Sequence, residues 1–253
     1  MKTFKKLRRR VADIFRARPA LYDFARQARL RLIGPTSQIG RQLDRYSRSH
    51  LKNFTFLQIG ASDGLRNDPL RDFVVRDYWN GALVEPLPDV FPLLKKNYAH
   101  LARRGSLQFV NAAVSYCSAS LPFYTFQESY LSGKPLEEQL HLLRKASFDR
   151  AQVLVFAERE ENIAVIDVPC VGIRELLASS FPDGHLSLLA LDVEGHELEI
   201  LAEIDFDGLR IGAVLFETWN LGDRRDAVFG LLHKHGYLIE EAEGDALAVR
   251  ENR

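Results

Sequence analysis

From residue 53 onward, apolar segments of strand length alternate with amphipathic segments of helix length. The strand candidates are residues 54–60, 81–85, 107–114, 163–170, 186–193 and 211–217, and the helix candidates are residues 69–79, 88–103, 171–180, 195–204 and 224–235. Apolar runs such as Leu186–Leu191 predict strands that are buried on both faces. The alternation therefore predicts an α/β fold, in which a mostly parallel sheet is covered by helices on both sides.

Three segments depart from this alternation. Leu121–Phe126 is typical of an extra strand, whereas residues 127–161 are polar, helix-prone and poorly periodic. Insertions of this kind often cover a ligand crevice. Near the end of the chain, Tyr237–Glu243 and Ala246–Arg250 predict a hairpin with its turn at Gly244-Asp245. We therefore expect one α/β domain over residues 53–253, with an insertion at about 127–161.

The first 52 residues have a different character. They carry 15 Lys and Arg against 3 Asp and Glu, a net charge of +12, so the remaining residues carry −12. Residues 3–17 predict a helix with a basic face, and Pro19 opens a second helix that Gly34-Pro35 ends. Residues 36–52 are interpreted as a polar connection. The whole segment 1–52 is thus predicted to be a basic helical arm.

Several partners would suit this arm. It could contact an anionic membrane surface through residues 1–18. Alternatively, the arm could pack on the body as a helical cap or form a contact between subunits of an oligomer. A nucleic acid is disfavoured, because the acidic body would repel phosphates. No apolar stretch is long enough to span a bilayer or to form a secretory signal, which predicts a cytoplasmic protein, in contact at most with the membrane periphery.

The strongest functional signal is a glycine loop after the first strand. Phe54–Ile59 runs into Gly60-Ala-Ser-Asp-Gly64, where a glycine at the strand end permits a tight turn close to a ligand. Glu85 ends the next strand, 25 residues after Gly60, and an acidic side chain there can bind both hydroxyls of a ribose. Together the loop and the acid predict an adenosine-type cofactor.

The loop also bears on which cofactor binds. A dinucleotide site usually shows GxGxxG with the helix starting at once, whereas this loop is GxxxG and the next helix is delayed to Pro69. Asp63 and Asp68 would repel a pyrophosphate, but a zwitterionic amino-acid tail with a sulfonium tolerates them better. S-adenosylmethionine is therefore favoured over NAD.

A second acidic cluster follows the strand 186–191. Asp192-Val-Glu-Gly-His-Glu197 lies where ligands bind in open α/β sheets, and Glu217 ends the next strand at the same edge. If the strand continues, Asp192 and Glu194 point to opposite sides. Glu194 and Glu197 can also be read as acids at a helix N-terminus. The ligand types would suit a metal, but the spacing matches no metal motif, so we expect none.

At this point the sequence resembles the FkbM family of S-adenosylmethionine-dependent methyltransferases. The resemblance covers roughly residues 53–250. Its motifs are Leu57-Gln-Ile-Gly-Ala-Ser-Asp-Gly64, Asp68-Pro-Leu70, Leu83-Val-Glu-Pro-Leu-Pro88, Asn111-Ala-Ala-Val114, Leu191-Asp-Val-Glu-Gly-His-Glu197, Ile200-Leu201, Phe216-Glu217, Gly236-Tyr237 and Asp245-Ala-Leu-Ala248. It implies a Rossmann-like class I methyltransferase fold, with a seven-stranded sheet whose last strand is antiparallel.

The resemblance also implies O-methylation, often of sugar or natural-product hydroxyls. The cofactor-binding residues it implies, together with those of the loop argument, are Gln58, Gly60, Ala61, Ser62, Asp63, Gly64, Glu85, Pro86, Ala112, Ala113 and Asp192. Two positions depart from the family: many members have Asp at the position of Gln58 and Asn at that of Ser62. The first change weakens a carboxylate contact to the cofactor amine.

A hydroxyl acceptor usually needs a base. We hypothesise that Asp192 or His196 accepts its proton and that Glu217 orients a small-molecule or glycan acceptor. Two rival functions stay open at this point. One is a nicotinamide-dependent oxidoreductase, although the GxGxxG loop is missing; the other is a non-catalytic binding protein on a degenerate methyltransferase fold.

Overall fold

The computed structural model describes residues 18–49, 53–101, 106–116 and 118–251. Its helices are α1 (Pro19–Ile33), α2 (Gln38–Ser49), α3 (Arg71–Asp77), α4 (Phe91–Tyr98), α5 (Glu128–Leu131), α6 (Leu136–Leu143), α7 (Arg150–Ala157), α8 (Ile173–Ser180), α9 (Glu197–Ala202) and α10 (Arg225–Lys234). Short 3-10 turns lie at Ala99–Leu101, Glu160–Asn162 and Gly222–Arg224. The helix predicted at 3–17 falls outside the described residues.

The strands are β1 (Thr55–Ile59), β2 (Asn80–Val84), β3 (Leu107–Val110), β4 (Ala113–Ser115), β5 (Ser120–Phe126), β6 (Ile163–Gly172), β7 (His185–Leu191), β8 (Arg210–Glu217), β9 (Tyr237–Ala242) and β10 (Asp245–Arg250). The main sheet has seven strands in the order β3-β2-β1-β7-β8-β10-β9. In this sheet β10 runs antiparallel to β8 and β9, the strands on either side of it, and the other neighbouring pairs are parallel. The predicted seven-stranded sheet with an antiparallel last strand is therefore confirmed.

Helices cover both faces of this sheet, as the buried strands predicted. On one face α8, α9 and α10 pack through side chains such as Leu177, Leu201 and Leu232. On the other face α2, α3 and α4 contribute Leu43, Val74 and Leu94. Strand order reverses between β1 and β7, which pair in parallel. In an open α/β sheet, a ligand crevice forms beyond the carboxyl ends of the strands at such a point.

Two strand predictions differ from the structure. The segment 107–114 is not one strand, because the chain leaves the main sheet after Val110 and starts β4 at Ala113. At the break, the Asn111 amide donates to the carbonyls of Glu85 and Pro86 and so fixes the chain beside the crevice. The candidate at 163–170 is β6, which joins a second sheet of order β4-β6-β5 rather than the main one. The extra strand at Leu121–Phe126 is confirmed as part of β5.

The interpretation of residues 36–52 as a polar connection is wrong. Residues 38–49 form α2, whose side chains Ile39, Leu43 and Tyr46 share one buried face at helical spacing. The Tyr46 hydroxyl donates to the Ser187 carbonyl at 2.8 Å, so the helix is fixed against the sheet. Charged residues outnumber these apolar ones in the segment and obscured the helical pattern.

The insertion at 127–161 consists of α5, α6 and α7, which pack on the second sheet. The predicted hairpin is confirmed, but its turn lies one residue earlier, at Glu243 and Gly244, both with positive φ. Asp245 is therefore the first residue of β10 and pairs with Glu217. Within the described ranges, none of the helices has the length and apolar character needed to cross a membrane.

Candidate active site

The crevice at the carboxyl ends of β1, β2, β7 and β8 gathers the residues singled out in the sequence. Gly60 follows β1, Glu85 follows β2, Asp192 follows β7 and Glu217 ends β8. Gly60 has a φ of +81°, and a Cβ atom there would lie 1.9 Å from the Asp192 carbonyl oxygen. Only glycine fits at this position, because the glycine loop and the Asp192 backbone touch.

The rest of the loop is held from inside the protein. The buried Asp63 carboxylate accepts hydrogen bonds from the backbone amides of Leu65 and Arg66 and pairs with the Arg66 side chain. At Gly64 an added Cβ would lie 2.5 Å from Leu94 and Tyr98. Of the residues predicted to bind the cofactor, Ala61, Asp63 and Gly64 lie behind the cavity wall and give the loop its shape.

This placement also corrects the electrostatic argument against a pyrophosphate. Asp63 is paired with Arg66, and Asp68 is buried, where it accepts from the Tyr98 hydroxyl at 2.9 Å and from the Leu70 amide at 2.8 Å. Neither carboxylate points freely into the crevice. The repulsion of a pyrophosphate that the sequence suggested for Asp63 and Asp68 is therefore not expected.

Glu85 is buried next to the glycine loop. Its Oε2 accepts a hydrogen bond from the Ser62 amide at 2.8 Å, and its Oε1 accepts one from the Leu87 amide at 2.9 Å. Burial is the main reason that its pKa is raised to about 7. Each oxygen keeps a second lone pair that can accept from a ligand hydroxyl.

Glu85 lines the first of two cavities that meet at Asp192, here called the cofactor cavity. Its polar wall contains Gly60, Ser62, Glu85, Asp192 and Arg144. Its apolar wall consists of Pro86, Leu87, Val90, Ala112, Ala113, Val114, Phe123, Ala146 and Phe148. A ribose and an aromatic base suit these two walls.

The second cavity is here called the acceptor cavity. It is lined by Gln58, Asn67, Pro69, His141, Arg144, Lys145, Asp192, Glu194, Glu217, Trp219, Glu243 and Asp245, with several apolar strand residues. Asp192 belongs to both cavities, and its side chain is exposed to them although it lies deep in the crevice.

Gln58 reaches the acceptor cavity from β1. Its amide nitrogen donates to Asp68 at 3.3 Å, but its Oε1 is buried and has no hydrogen-bond partner among the described residues. An unsatisfied buried oxygen costs free energy, so this atom is a natural acceptor for a ligand ammonium. Gln58 therefore still offers an oxygen that accepts hydrogen bonds, at the position where many members of the family that the sequence resembles have an Asp carboxylate.

Three carboxylates converge on the acceptor cavity. Asp192, Glu194 and Glu217 each place an oxygen within 4.8 Å of the others. Asp192 and Glu194 were expected to point to opposite sides only if the strand continued through them, and it does not: β7 ends at Leu191 and Glu194 adopts a left-handed φ of +51°. Lys145 donates to Glu194 at 2.7 Å, and Asn220 donates to Glu194 at 2.8 Å and to Glu217 at 2.6 Å.

This cluster contains its own cation. The Lys145 ammonium and the Asn220 amide occupy both oxygens of Glu194 and one of Glu217. A divalent ion would compete with them for these ligands. The expectation that no metal is used stays a prediction.

Burial and mutual repulsion raise the pKa values of the acids. Burial and the Glu217 charge raise the pKa of Asp192 to about 6, and burial raises that of Glu194 to about 8 despite the nearby Lys145. Burial, Asp192 and Glu217 raise the pKa of Asp245 to about 7. Perturbed acids grouped in a cleft are typical of functional sites.

His196 lies apart from this cluster. It precedes α9, packs against Phe148 with ring centroids 5.3 Å apart, and contacts the cofactor cavity rather than the acceptor cavity. Burial lowers its pKa. Glu197 is the first residue of α9, which agrees with its reading as an acid at a helix N-terminus, and its buried carboxylate accepts from the Val193 amide at 3.3 Å.

Comparison with known proteins identifies the family of this chain. The model of the methyltransferase FkbM domain matches residues 58–239, which is most of the chain. The chain belongs to the methyltransferase FkbM domain family. The chain therefore has the class I methyltransferase fold, and the family favours S-adenosylmethionine over NAD as its cofactor.

One relative is the methyltransferase sdnD of Sordaria araneosa, 24% identical over 163 residues. That alignment covers 61% of this chain and 63% of the relative, so the chain spans less than two thirds of the relative's length. A methyltransferase FkbM from Methylobacillus flagellatus is 12% identical with a TM-score of 0.46, over 81% of this chain and 47% of that one.

A further solved structure with a similar chain path is an RNA methyltransferase from Salinibacter ruber in complex with S-adenosyl-L-homocysteine. It is 13% identical with a TM-score of 0.38, over 87% of this chain and 95% of that one. At these scores the two solved structures add nothing to the family assignment.

The residues present fit S-adenosylmethionine. Glu85 offers free lone pairs for the ribose hydroxyls, and the apolar wall suits adenine. The unpaired Oε1 of Gln58 suits the ammonium of the amino-acid tail, which would then reach into the adjoining acceptor cavity that Gln58 lines.

Four residues of the site were not predicted from the sequence: Arg144, Lys145, Phe148 and Asn220. The first three belong to the insertion, whose lack of periodicity gave no register. Within the insertion, the Tyr130 hydroxyl donates to the Phe156 carbonyl at 3.1 Å.

Proposed function

We propose that this protein transfers a methyl group to a hydroxyl oxygen of a sugar, glycan or natural-product acceptor bound in the acceptor cavity, with Asp192 as the general base. Glu217 would orient the acceptor. His196 would support the cofactor side of the site rather than take the proton.

The observation that carries this proposal is the environment of Asp192. It lines both cavities, and no described residue donates a hydrogen bond to its carboxylate. Its neighbour Glu194 is satisfied by Lys145 and Asn220. Asp192 is thus the acid of the cluster that is free to accept a proton from a ligand.

When bound, S-adenosylmethionine supplies an electrophilic methyl group on its sulfonium. The protein must then hold the acceptor oxygen in line and receive its proton. With a pKa of about 6, the Asp192 carboxyl is largely ionised at neutral pH and can accept the proton. Lys145, whose pKa the nearby carboxylates raise in spite of burial, stays charged and limits the repulsion among the acids.

The lining of the acceptor cavity supports a hydroxylated acceptor. Carboxylates such as Asp192, Glu217 and Asp245 accept hydrogen bonds from hydroxyl groups. Trp219 lies at the rim with 75% of its surface exposed, although it packs on the turn at Gly244. A flat apolar ring beside hydrogen-bond acceptors suits a molecule with alternating C–H and O–H groups, as in a sugar.

The base is tested by Asp192→Asn, which keeps the shape of the side chain. We expect turnover to fall by about 10²–10⁴-fold, the usual contribution of a general base, while calorimetry shows S-adenosylmethionine still binding. Asp226→Asn is the matched control, because Asp226 is fully exposed on α10 and should keep normal turnover. If Asp192→Asn keeps its turnover and His196→Ala loses it, Asp192 is not the base.

The acceptor class is tested with a panel of oligosaccharides and hydroxylated natural products in a labelled methyl-transfer assay. NMR of the product locates the methyl group, and a methylated nitrogen or sulfur would refute the proposal. For an accepted substrate, we expect Trp219→Ala to raise the acceptor KM more than it lowers kcat, without changing the affinity for S-adenosylmethionine.

A further inference from the structure

Helix α1 is docked on the protein in an unusual orientation. Its polar side chains face the body: Asp23 binds the buried Arg71 guanidinium through two contacts of 2.8 Å, and Arg26 pairs with Asp72 at 2.7 Å. Gln27 donates to the Asp72 carbonyl at 2.8 Å. The helix is thus held firmly through its charged and amide groups.

The opposite face of α1 is apolar and faces outward. Leu21, Phe24, Ala28 and Leu32 follow one another at helical spacing and are all exposed. Phe24 exposes 73% of its surface, Leu32 86% and the adjoining Ile33 69%. A contiguous exposed apolar face of this kind marks an interaction surface.

The charge around this face is positive. Arg29 and Arg31 on this helix, and Arg18 directly before it, are exposed and flank its apolar stripe. In the sequence, the preceding residues 1–17 add seven Lys and Arg against one Asp. The partner of this face must therefore offer an apolar phase and negative charge together.

We propose that α1 docks on an anionic lipid membrane, with Phe24 and Leu32 inserted at the headgroup boundary and the flanking arginines on acidic headgroups. An amphipathic helix with basic residues beside its apolar stripe binds membranes in this way. The acidic body, with a net charge of −12 over residues 53–253, would be turned away from the surface. This inference does not depend on the identity of the methyl acceptor.

Other occupants fit the helix less well. A nucleic acid would pair with the arginines but leave Phe24 and Leu32 in water. A second copy of the chain, packed symmetrically, would bury the apolar stripe but bring the two sets of arginines together. Residues 1–17 of the same chain would bring further positive charge to the same face.

Sedimentation of the full chain with vesicles tests the proposal. One vesicle set is pure phosphatidylcholine, and the other is an equimolar mixture of phosphatidylcholine and phosphatidylserine. We expect the protein to pellet with the anionic vesicles only, and less as salt is added, because salt screens the arginines. If the full chain fails to pellet with anionic vesicles, the proposal is wrong.

The double variant Phe24→Ser/Leu32→Ser should reduce the pelleted fraction severalfold. Val155→Ser is the matched control, because Val155 is also helical and 74% exposed but lies on α7; it should pellet like the wild type. Circular dichroism verifies that each variant is folded. Equal pelleting of the double variant and the control would overturn the proposal.

Two further measurements separate the other occupants. Analytical ultracentrifugation without lipid would reveal a dimer that Phe24→Ser/Leu32→Ser dissolves, and an electrophoretic shift would reveal binding to duplex DNA or RNA that this variant keeps. Either result, obtained without vesicle binding by the full chain, would assign α1 to that partner and reject the membrane.

Discussion

The Asp23 carboxylate of α1 and the Arg71 guanidinium of α3 form a buried ion pair, with two contacts of 2.8 Å. The same guanidinium donates to the Gly64 carbonyl and, at 2.9 Å, to the Asn97 carbonyl. Asn97 in turn donates to the Asp63 carbonyl at 2.7 Å. The first described helix is therefore connected to the glycine loop of the cofactor site through a single side chain.

The first prediction concerns this ion pair. Asp23→Asn leaves the Arg71 charge buried without its partner, so we expect the free energy of unfolding to fall by about 3–5 kcal/mol. The affinity for S-adenosylmethionine should fall as well, because Arg71 holds the loop. Denaturant unfolding and calorimetric titration measure the two effects.

Asp72→Asn is the control for that experiment. It breaks the partly exposed ion pair between Asp72 on α3 and Arg26, which lies on α1 as Asp23 does. Such a pair contributes about 0–1 kcal/mol. Equal losses in the two variants would mean that the buried pair has no special role.

The second prediction concerns Gly60. Gly60→Ala imposes a positive φ on a residue with a Cβ, at about 1–3 kcal/mol, and forces that atom against the Asp192 carbonyl. We expect a lower melting temperature and loss of S-adenosylmethionine binding. Gly230→Ala, on α10 with open space around it, should instead be neutral or stabilising by up to about 1 kcal/mol. Normal cofactor affinity in Gly60→Ala would contradict the contact.

The features that the sequence predicted well are periodic or local. Buried strands such as β7 are almost wholly apolar, and a glycine followed by a distant acid marks the ends of two neighbouring strands. Parallel connectivity then brings Gly60, Glu85 and Asp192 to one edge without any knowledge of side-chain contacts. The family motifs lie in the same segments, which is why fold and cofactor could be predicted together.

The features that it missed depend on tertiary contacts. Lys145 reaches Glu194 from an insertion that has no regular pattern, and Asp245 enters the site because the hairpin turn lies one residue earlier than expected. Whether Asp63 faces a ligand or its own loop depends on where the neighbouring amides point. None of these relationships is expressed by spacing along the chain.

The third prediction concerns pH and stability. Burial raises the pKa of Glu197 to about 7, from an ordinary value of 4.5. Between these values the folded state binds more protons than the unfolded state, so the contribution of this group to stability is lost as pH rises through about 7. We expect Glu197→Gln to make the free energy of unfolding less dependent on pH between about 5 and 8, as measured by urea unfolding.

The control for this experiment is Glu199→Gln on the same helix, where the side chain is exposed. It should leave the pH dependence as in the wild type. A steeper pH dependence in Glu197→Gln would show that the sign of the argument is wrong.

The fourth prediction uses the pH profile of catalysis to identify the base. If Asp192 accepts the proton, kcat/KM should decline on the acid side with an apparent pKa of about 6. Burial and Glu217 raise that pKa, whereas Lys145 and Arg144 lower it. Lys145→Met should therefore move the acid limb to higher pH, and Glu217→Gln should move it to lower pH.

The opposite directions are what make this test decisive. A variant that only disturbs the fold lowers kcat/KM at every pH without moving the acid limb of the profile. If His196 were the base, the acid limb would stay in place in both variants, because the charges that shift the pKa of His196 are those of Glu199, Arg224 and Asp149. Lys145→Arg keeps the positive charge and should restore the position of the limb. If both variants move the limb the same way, a group other than Asp192 controls the proton transfer.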